Sequence, residues 1–200
     1  MHDHSAREEA IVTAAIELAE AHGVAGVTTA ALARRLEFTE AALYRYFPGK
    51  SAIIAAALHH QSERLFATML LELMPEAVQH GQAVQPQLER HLRRFMNHNG
   101  LLLELLVSSA GGRDEALQTA GAEVLHEYSE RMGEYFARLQ QLGLADLHAQ
   151  PTELAHLWVC QLLGGFVRCR LARESWDPVQ QAGFQAFARQ LRPSGAAAGS

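Results

Sequence analysis

Apolar residues recur at intervals of three and four along most of the chain and rarely alternate with polar ones, which predicts helices and almost no strands. Val and Ile are sparse outside these stretches, while Ala, Leu, Glu, Gln and Arg dominate, so the expected fold class is all-α. The sharpest local pattern lies at residues 28–50. Thr28 can cap a helix Thr29–Leu36 whose apolar stripe is Leu32, Ala33 and Leu36, with Val27 and Leu32 as a hydrophobic staple. After a break at Glu37 and Phe38, Thr39 caps a second run, Glu40–Tyr46, stapled by Phe38 and Leu43.

Longer helical runs follow. Ser51 to about Met74 is continuous, 80–86 interrupts the pattern, and Gln87–His98 resumes it with Leu88, Leu92, Phe95 and Met96 on one side. A short apolar piece, Leu101–Ser109, precedes Gly111 and Gly112. Glu115–Gln141 is then a long helix closed by Gly143, and Pro151 and Thr152 open Glu153–Arg173. Pro178–Leu191 is expected as the final helix. The boundaries this implies are an N-terminal domain 1–50, a second helical domain 51–192 acting through a long linking helix, and a small-residue tail 193–200 expected to be disordered.

Two short capped helices around a tight turn describe a helix-turn-helix. Its first helix braces across a nucleic-acid backbone, and its second lies in the major groove with its N-terminal residues at base edges. Ala41 and Ala42 are small enough for close approach. Residues 28–50 carry four basic groups, Arg34, Arg35, Arg45 and Lys50, against Glu37 and Glu40, in a chain of net charge −5, so phosphate attraction is expected to be local. The arm before them is acidic and is not expected to read the minor groove. Lys50, the one lysine in the sequence, would open the next helix, where the macrodipole disfavours a cation by roughly 0.3 to 1 kcal/mol. A bound phosphate would offset that penalty.

The string Leu43-Tyr44-Arg45-Tyr46-Phe47-Pro48-Gly49-Lys50, with Ile11–Leu18 and Gly23 ahead of it, resembles the TetR family of bacterial transcriptional regulators over residues 8 to about 60. The resemblance implies phosphate contacts from Thr28, Thr39, Tyr44, Tyr46 and Lys50, base contacts from Glu40, Ala41, Ala42 and Arg45, and a core role for Phe47. Thr29 and Arg34 complete the candidate DNA-facing set. Glu37 departs from the family, which usually has Gly at this turn position, where a left-handed backbone is common and a non-Gly residue costs something like 1 to 2 kcal/mol.

The same resemblance implies a homodimeric repressor, released from a palindromic double-stranded DNA operator by a small hydrophobic effector. Candidate pocket residues are Phe66, Met69, Leu70, Phe95 and Met96, with Leu102, Leu106, Tyr128, Met132, Trp158 and Gln161. A helical core would use the same residue types, so both readings stand. Leu154, Leu157, Gln161, Gly164 and Gly165 are expected to meet Phe184, Phe187 and Leu191 in a two-fold four-helix bundle, with an intramolecular core as the alternative. A looser resemblance of Thr39–Pro48 to nucleoid-occlusion division inhibitors of the same superfamily implies a second role, as a DNA-bound protein acting on cell division.

Composition narrows the remaining classes. With 48% apolar residues in 200, the chain can build a substantial core. No run of 18 apolar residues occurs and the N-terminus lacks a signal peptide's basic start, so no membrane association is expected and the location is cytoplasmic. Cys160 and Cys169 are nine apart, about 13 Å along a helix, too far for a disulfide. Eleven histidines offer no His-x-x-x-His and no Cys-x-x-Cys pair occurs, so no metal site is expected; neither is a cofactor. None of GxSxG, GxxxxGK[ST], GxGxxG or HExxH is present, which argues against an enzyme.

Overall fold

The structure, a computed structural model, describes residues 2–75, 84–147, 149–172, 177, 182–189 and 191–193. Nine helices form among them. They are α1 (His2–Gly26), α2 (Thr29–Leu36), α3 (Glu40–Leu43), α4 (Lys50–Glu72), α5 (Gln85–His98), α6 (Gly100–Gly111), α7 (Glu115–Gln141), α8 (Pro151–Ala172) and α9 (Ala182–Ala188). Strands β1 (Ala145–Leu147) and β2 (Leu191–Pro193) pair antiparallel, with Ala145 opposite Pro193 and Leu147 opposite Leu191. The architecture is all-α apart from this ribbon. Three residues are too few to show an alternating pattern, so the ribbon was not foreseen. It places Leu191 in a strand instead of the expected last helix, and Pro193 in β2 instead of the tail; residues 178–181 and 194–200 lie outside those described.

The chain forms two compact units that do not divide at residue 50. One comprises Met1–Arg64 and Gly100–Val124, the other Leu65–Asn99 and Leu125–Ser200. Residue 50 marks the start of α4, and α4 and α7 each contribute to both units.

In the first unit, Ile11, Leu32, Leu43, Ile53 and Leu58 are almost wholly buried. Phe47 and Leu101 pack against Val12, Ile16 and Ala57, and Phe47 thus takes a half-buried place at the edge of the core. α1 bends at Gly23, whose φ of 71° is one that L side chains rarely adopt. A β-carbon there would also stand 3.3 Å from Glu104 Oε1 of α6, which accepts the Val24 N–H at 3.2 Å. The bend and the α6 carboxylate therefore fit each other.

In the second unit the fully buried large side chains include Trp158, Phe136, Phe184, Leu88 and Leu92. α5 starts two residues before the expected Gln87, because Pro86 sits in its first turn, where a missing N–H leaves no intrahelical bond unmade. Gln87 serves another purpose. Its amide donates to the carbonyls of Glu72 (3.3 Å) and Met74 (2.9 Å), satisfying the end of α4, and its oxygen accepts from Tyr135 at 2.6 Å. Among the described residues no helix is long and apolar enough to cross a membrane.

Candidate nucleic-acid interface

Both threonine caps form. Thr28 is extended (φ −126°, ψ 154°) and its Oγ1 accepts the Ala31 N–H; Thr39 (φ −83°, ψ 152°) does the same for Ala42, each at 3.1 Å. The staple residues Val27, Leu32 and Leu43 are buried. Between the helices Glu37 adopts the left-handed conformation (φ 56°, ψ 35°), and the Phe38 N–H closes on the Ala33 carbonyl at 2.8 Å, a Schellman-type ending. The turn keeps the geometry a glycine would give, so the strain of a non-Gly residue is real. α3 is shorter than the expected Glu40–Tyr46: the Arg45 and Tyr46 N–H groups reach back only three residues, to Ala42 and Leu43, a tighter winding before Pro48.

The candidate side chains differ in what holds them. Arg34, Arg45, Thr28, Thr39, Glu40 and Ala41 are exposed, and Tyr44 is 54% exposed, so all of these face solvent around the turn and α3. Ala42 and Thr29 are half-buried, and Thr29 Oγ1 lies 2.6 Å from Glu40 Oε2. Tyr46 stacks near His4 (4.8 Å between rings) and Phe38 (6.5 Å), while the Arg7 guanidinium stands over Phe38; the start of α1 therefore packs on the end of the motif. Arg35 is taken up by Glu17 of α1, with its Nε at 3.0 Å from Oε2. That pair braces α2.

Lys50 begins α4 as expected, yet its ammonium already has a neighbour. Nζ lies 3.5 Å from the Val24 carbonyl, in the short turn that follows the bend of α1 at Gly23. The misplaced cation thus has an internal explanation as well as the external one proposed from sequence.

The effector-pocket candidates are split between the units: Leu102 and Leu106 lie in the first, the others in the second. Met96 is half-buried and Leu70 is 66% exposed on the surface; Phe66, Met69 and Met132 are buried. Phe95, Tyr128 and Trp158 pack together around a run of hydrogen bonds. Trp158 Nε1–H donates to Tyr128 Oη (2.9 Å), the Tyr128 hydroxyl lies 3.2 Å from His91 Nε2, and His91 Nδ1 lies 2.8 Å from Glu72 Oε2. One tautomer satisfies all three, with the proton on Nδ1 and Nε2 accepting from the tyrosine. Burial pushes the Tyr128 phenol well above its ordinary range, the tryptophan bond opposing and the Glu72 charge reinforcing it; burial raises Tyr135 likewise, against the nearby Arg90. Glu72 Oε1 is the exception, accepting no hydrogen bond although Arg94 Nε stands 2.9 Å away as an ion-pair partner off the bonding direction.

The expected dimer residues also separate. Leu154, Phe184, Phe187 and Leu191 are buried within the chain, so these four hold the second unit together and present no face to another copy. Gln161 joins them, for a β-carbon added at Gly183 of α9 would stand 2.5 Å from its Oε1. Leu157 and Gly164 remain exposed, Gly165 is half-buried, and with Cys160, Val167 and Leu171 the exposed pair forms a stripe spaced three and four along α8. Val167 and Leu171 were missed, although this spacing is visible in the sequence. Both cysteines are free, and among the described residues no cluster of His, Cys, Asp or Glu could hold a metal ion.

Two threonine-capped helices around a left-handed turn, the second beginning with small side chains, define a helix-turn-helix protein. Residues 11–57 match the family model described as bacterial regulatory proteins, tetR family. The helix-turn-helix domain is thus of the TetR-family type, and TetR-family proteins are DNA-binding regulators. It is 30% identical over 135 residues to the nucleoid occlusion factor SlmA of Marinobacter nauticus, a match covering 67% of this chain and 63% of that relative's length. Its fold is similar to that of E. coli NemR in reduced form (TM-score 0.74, 14% identity, 93% of this chain and 97% of that one). A TetR-family regulator from Agrobacterium tumefaciens is comparable (TM-score 0.73, 15% identity, 94% and 100%).

Proposed function

We propose that the protein regulates transcription by binding a palindromic operator as a homodimer, with one helix-turn-helix in each half-site. The observation that carries this reading is the pair of capping threonines, each of which accepts a backbone N–H and keeps its own hydroxyl proton for a phosphate oxygen. The match of residues 11–57 to the tetR family model supports it. The exposed stripe from Leu157 to Leu171 on α8 is the surface we assign to the two-fold contact, since reading two half-sites about one helical turn apart needs two copies. Selection of fragments from genomic DNA by the full chain, with affinities compared against random duplex at fixed salt, tests the reading. It fails if no fragment binds better than random duplex. Light scattering after size exclusion tests the dimer, and a monomer at micromolar concentration overturns that part.

Release of DNA by a small hydrophobic ligand is the finer version, supported by the apolar and aromatic lining around Phe95, Tyr128 and Trp158. Such a ligand would have to part side chains that already satisfy one another, so it would act by selecting an open form. A second reading, a DNA-bound protein that acts on cell division by binding a division protein, is favoured by the name of the Marinobacter relative, a nucleoid occlusion factor. Pull-down with that division protein, with and without DNA, separates the two, and absence of DNA-dependent capture removes the second.

A further inference from the structure

Three threonine hydroxyls sit at the helix-turn-helix, and their hydrogen bonds are not equivalent. A hydroxyl has one proton to donate and two lone pairs. Thr28 and Thr39 use a lone pair on Ala31 and Ala42, and each keeps its proton. Thr29 is different, because its Oγ1 lies 2.6 Å from Glu40 Oε2 and an ionised carboxylate can only accept. The proton in that bond is Thr29's own. While the bond stands, Thr29 has no donor left for a phosphate.

Glu40 is the first residue of α3 and Thr29 the first of α2, so the bond ties the start of the second helix to the start of the first. An exposed glutamate would otherwise sample many rotamers, and phosphates would repel it from the groove. A charge-assisted bond of this length holds one carboxylate oxygen in place. Among the described residues the other oxygen, Oε1, has no hydrogen-bond partner, and Glu40 is exposed at the start of α3, the end that a helix-turn-helix turns towards base edges.

We propose that Thr29 is a positioning residue for Glu40, and that the pair reads one base pair by accepting the exocyclic amino group of cytosine in the major groove. Guanine and thymine present acceptors at this edge and repel the carboxylate; cytosine presents a donor alone, whereas the N6 donor of adenine stands beside the N7 acceptor, which disfavours a carboxylate. The inference rests on the DNA-binding reading above, and assigns Thr29 to specificity instead of phosphate contact.

Selection from a randomised duplex library, with the full chain at fixed salt, tests it. Wild type should enrich cytosine at one position of each half-site. Thr29→Val, which keeps the branched shape, should relax that position by about fivefold or more while leaving affinity for random duplex and the salt slope within error. Thr29→Ser should restore the preference. Glu40→Gln should move the preference at the same position towards adenine, whose N6 and N7 suit an amide. This variant keeps the threonine and both caps, so it tests the assignment even if Thr29→Val loses helix content by circular dichroism. Uniform weakening by Thr29→Val with a shallower salt slope would make Thr29 a phosphate contact and overturn the proposal. So would an unchanged preference, or relaxation at a position that Glu40→Gln does not affect. Failure of the wild type to enrich any sequence overturns the DNA reading itself, a result distinct from these.

Discussion

In the helix-turn-helix, Thr28 and Thr39 each accept one backbone N–H and keep a proton facing outward. In the second unit Trp158, Tyr128 and His91 each hand a donor to the next group, ending on Glu72. The difference follows from solvent. An exposed hydroxyl can leave its proton to water until a partner arrives, whereas an unpaired polar group in the interior costs about 1 to 3 kcal/mol. Surplus bonding capacity at a surface is therefore compatible with recognition, and exhausted capacity in an interior is compatible with a core.

The strongest way to break this comparison is Trp158→Ala. Trp158 is fully buried, stacks on His91 with rings 6.2 Å apart and lies 5.4 Å from the Phe187 ring. Truncation should cost about 3 to 5 kcal/mol in denaturant unfolding. A loss below about 1 kcal/mol would instead mark Trp158 as the wall of an open cavity, and would favour the effector reading.

Alkaline pH probes the same interior through Tyr128 and Tyr135. Both phenols are raised by burial, so the folded state holds their protons more tightly than the unfolded chain, whose tyrosines titrate near 10. Their contribution is thus complete below that pH and is lost as pH rises above it, by about 1.4 kcal/mol per pH unit for each tyrosine. Unfolding free energies measured between pH 9 and 11 should fall accordingly, and more shallowly in the Tyr128→Phe, Tyr135→Phe double variant. An equal slope in wild type and variant would assign the alkaline loss to other groups.

The two regions were also unequally legible. Thr28, Glu37 and Thr39 act through bonds to residues within a few positions, so caps, staples and the left-handed turn could be read from local spacing. His91 meets Tyr128 across 37 positions and Tyr135 meets Gln87 across 48, and no local rule pairs them. Hence the aromatic residues of the second unit were identified as a group, but their division between core, pocket and interface was not. Leu154, Phe184 and Phe187 illustrate the difficulty: helical periodicity marks a face as apolar without saying whether the same chain or another copy covers it. The contact of Lys50 with Val24 was hidden for the same reason.

Within the helix-turn-helix, Glu37→Gly sharpens the contrast by removing backbone strain while touching no core residue. Glu37 is exposed and its φ is 56°, so glycine should stabilise the chain by about 1 kcal/mol. Thermal unfolding checks the sign. A destabilisation would show that the glutamate side chain offsets more than its backbone strain.

Lys50→Ala is the subtlest test, because two partners compete for one ammonium. The bond to the Val24 carbonyl is long at 3.5 Å, and that carbonyl also receives the Val27 N–H at 3.3 Å. Removing the lysine should therefore change stability little, the more so because a cation at the start of α4 opposes its dipole by about 0.3 to 1 kcal/mol. On DNA the consequence is larger: losing one phosphate contact should weaken binding to every sequence alike and reduce the slope of log affinity against log salt by about 0.9. The two measurements separate the partners. A lower melting temperature with an unchanged slope would make Lys50 a clamp on the turn after α1, whereas an unchanged melting temperature with a shallower slope makes the Val24 contact a resting place for a phosphate anchor.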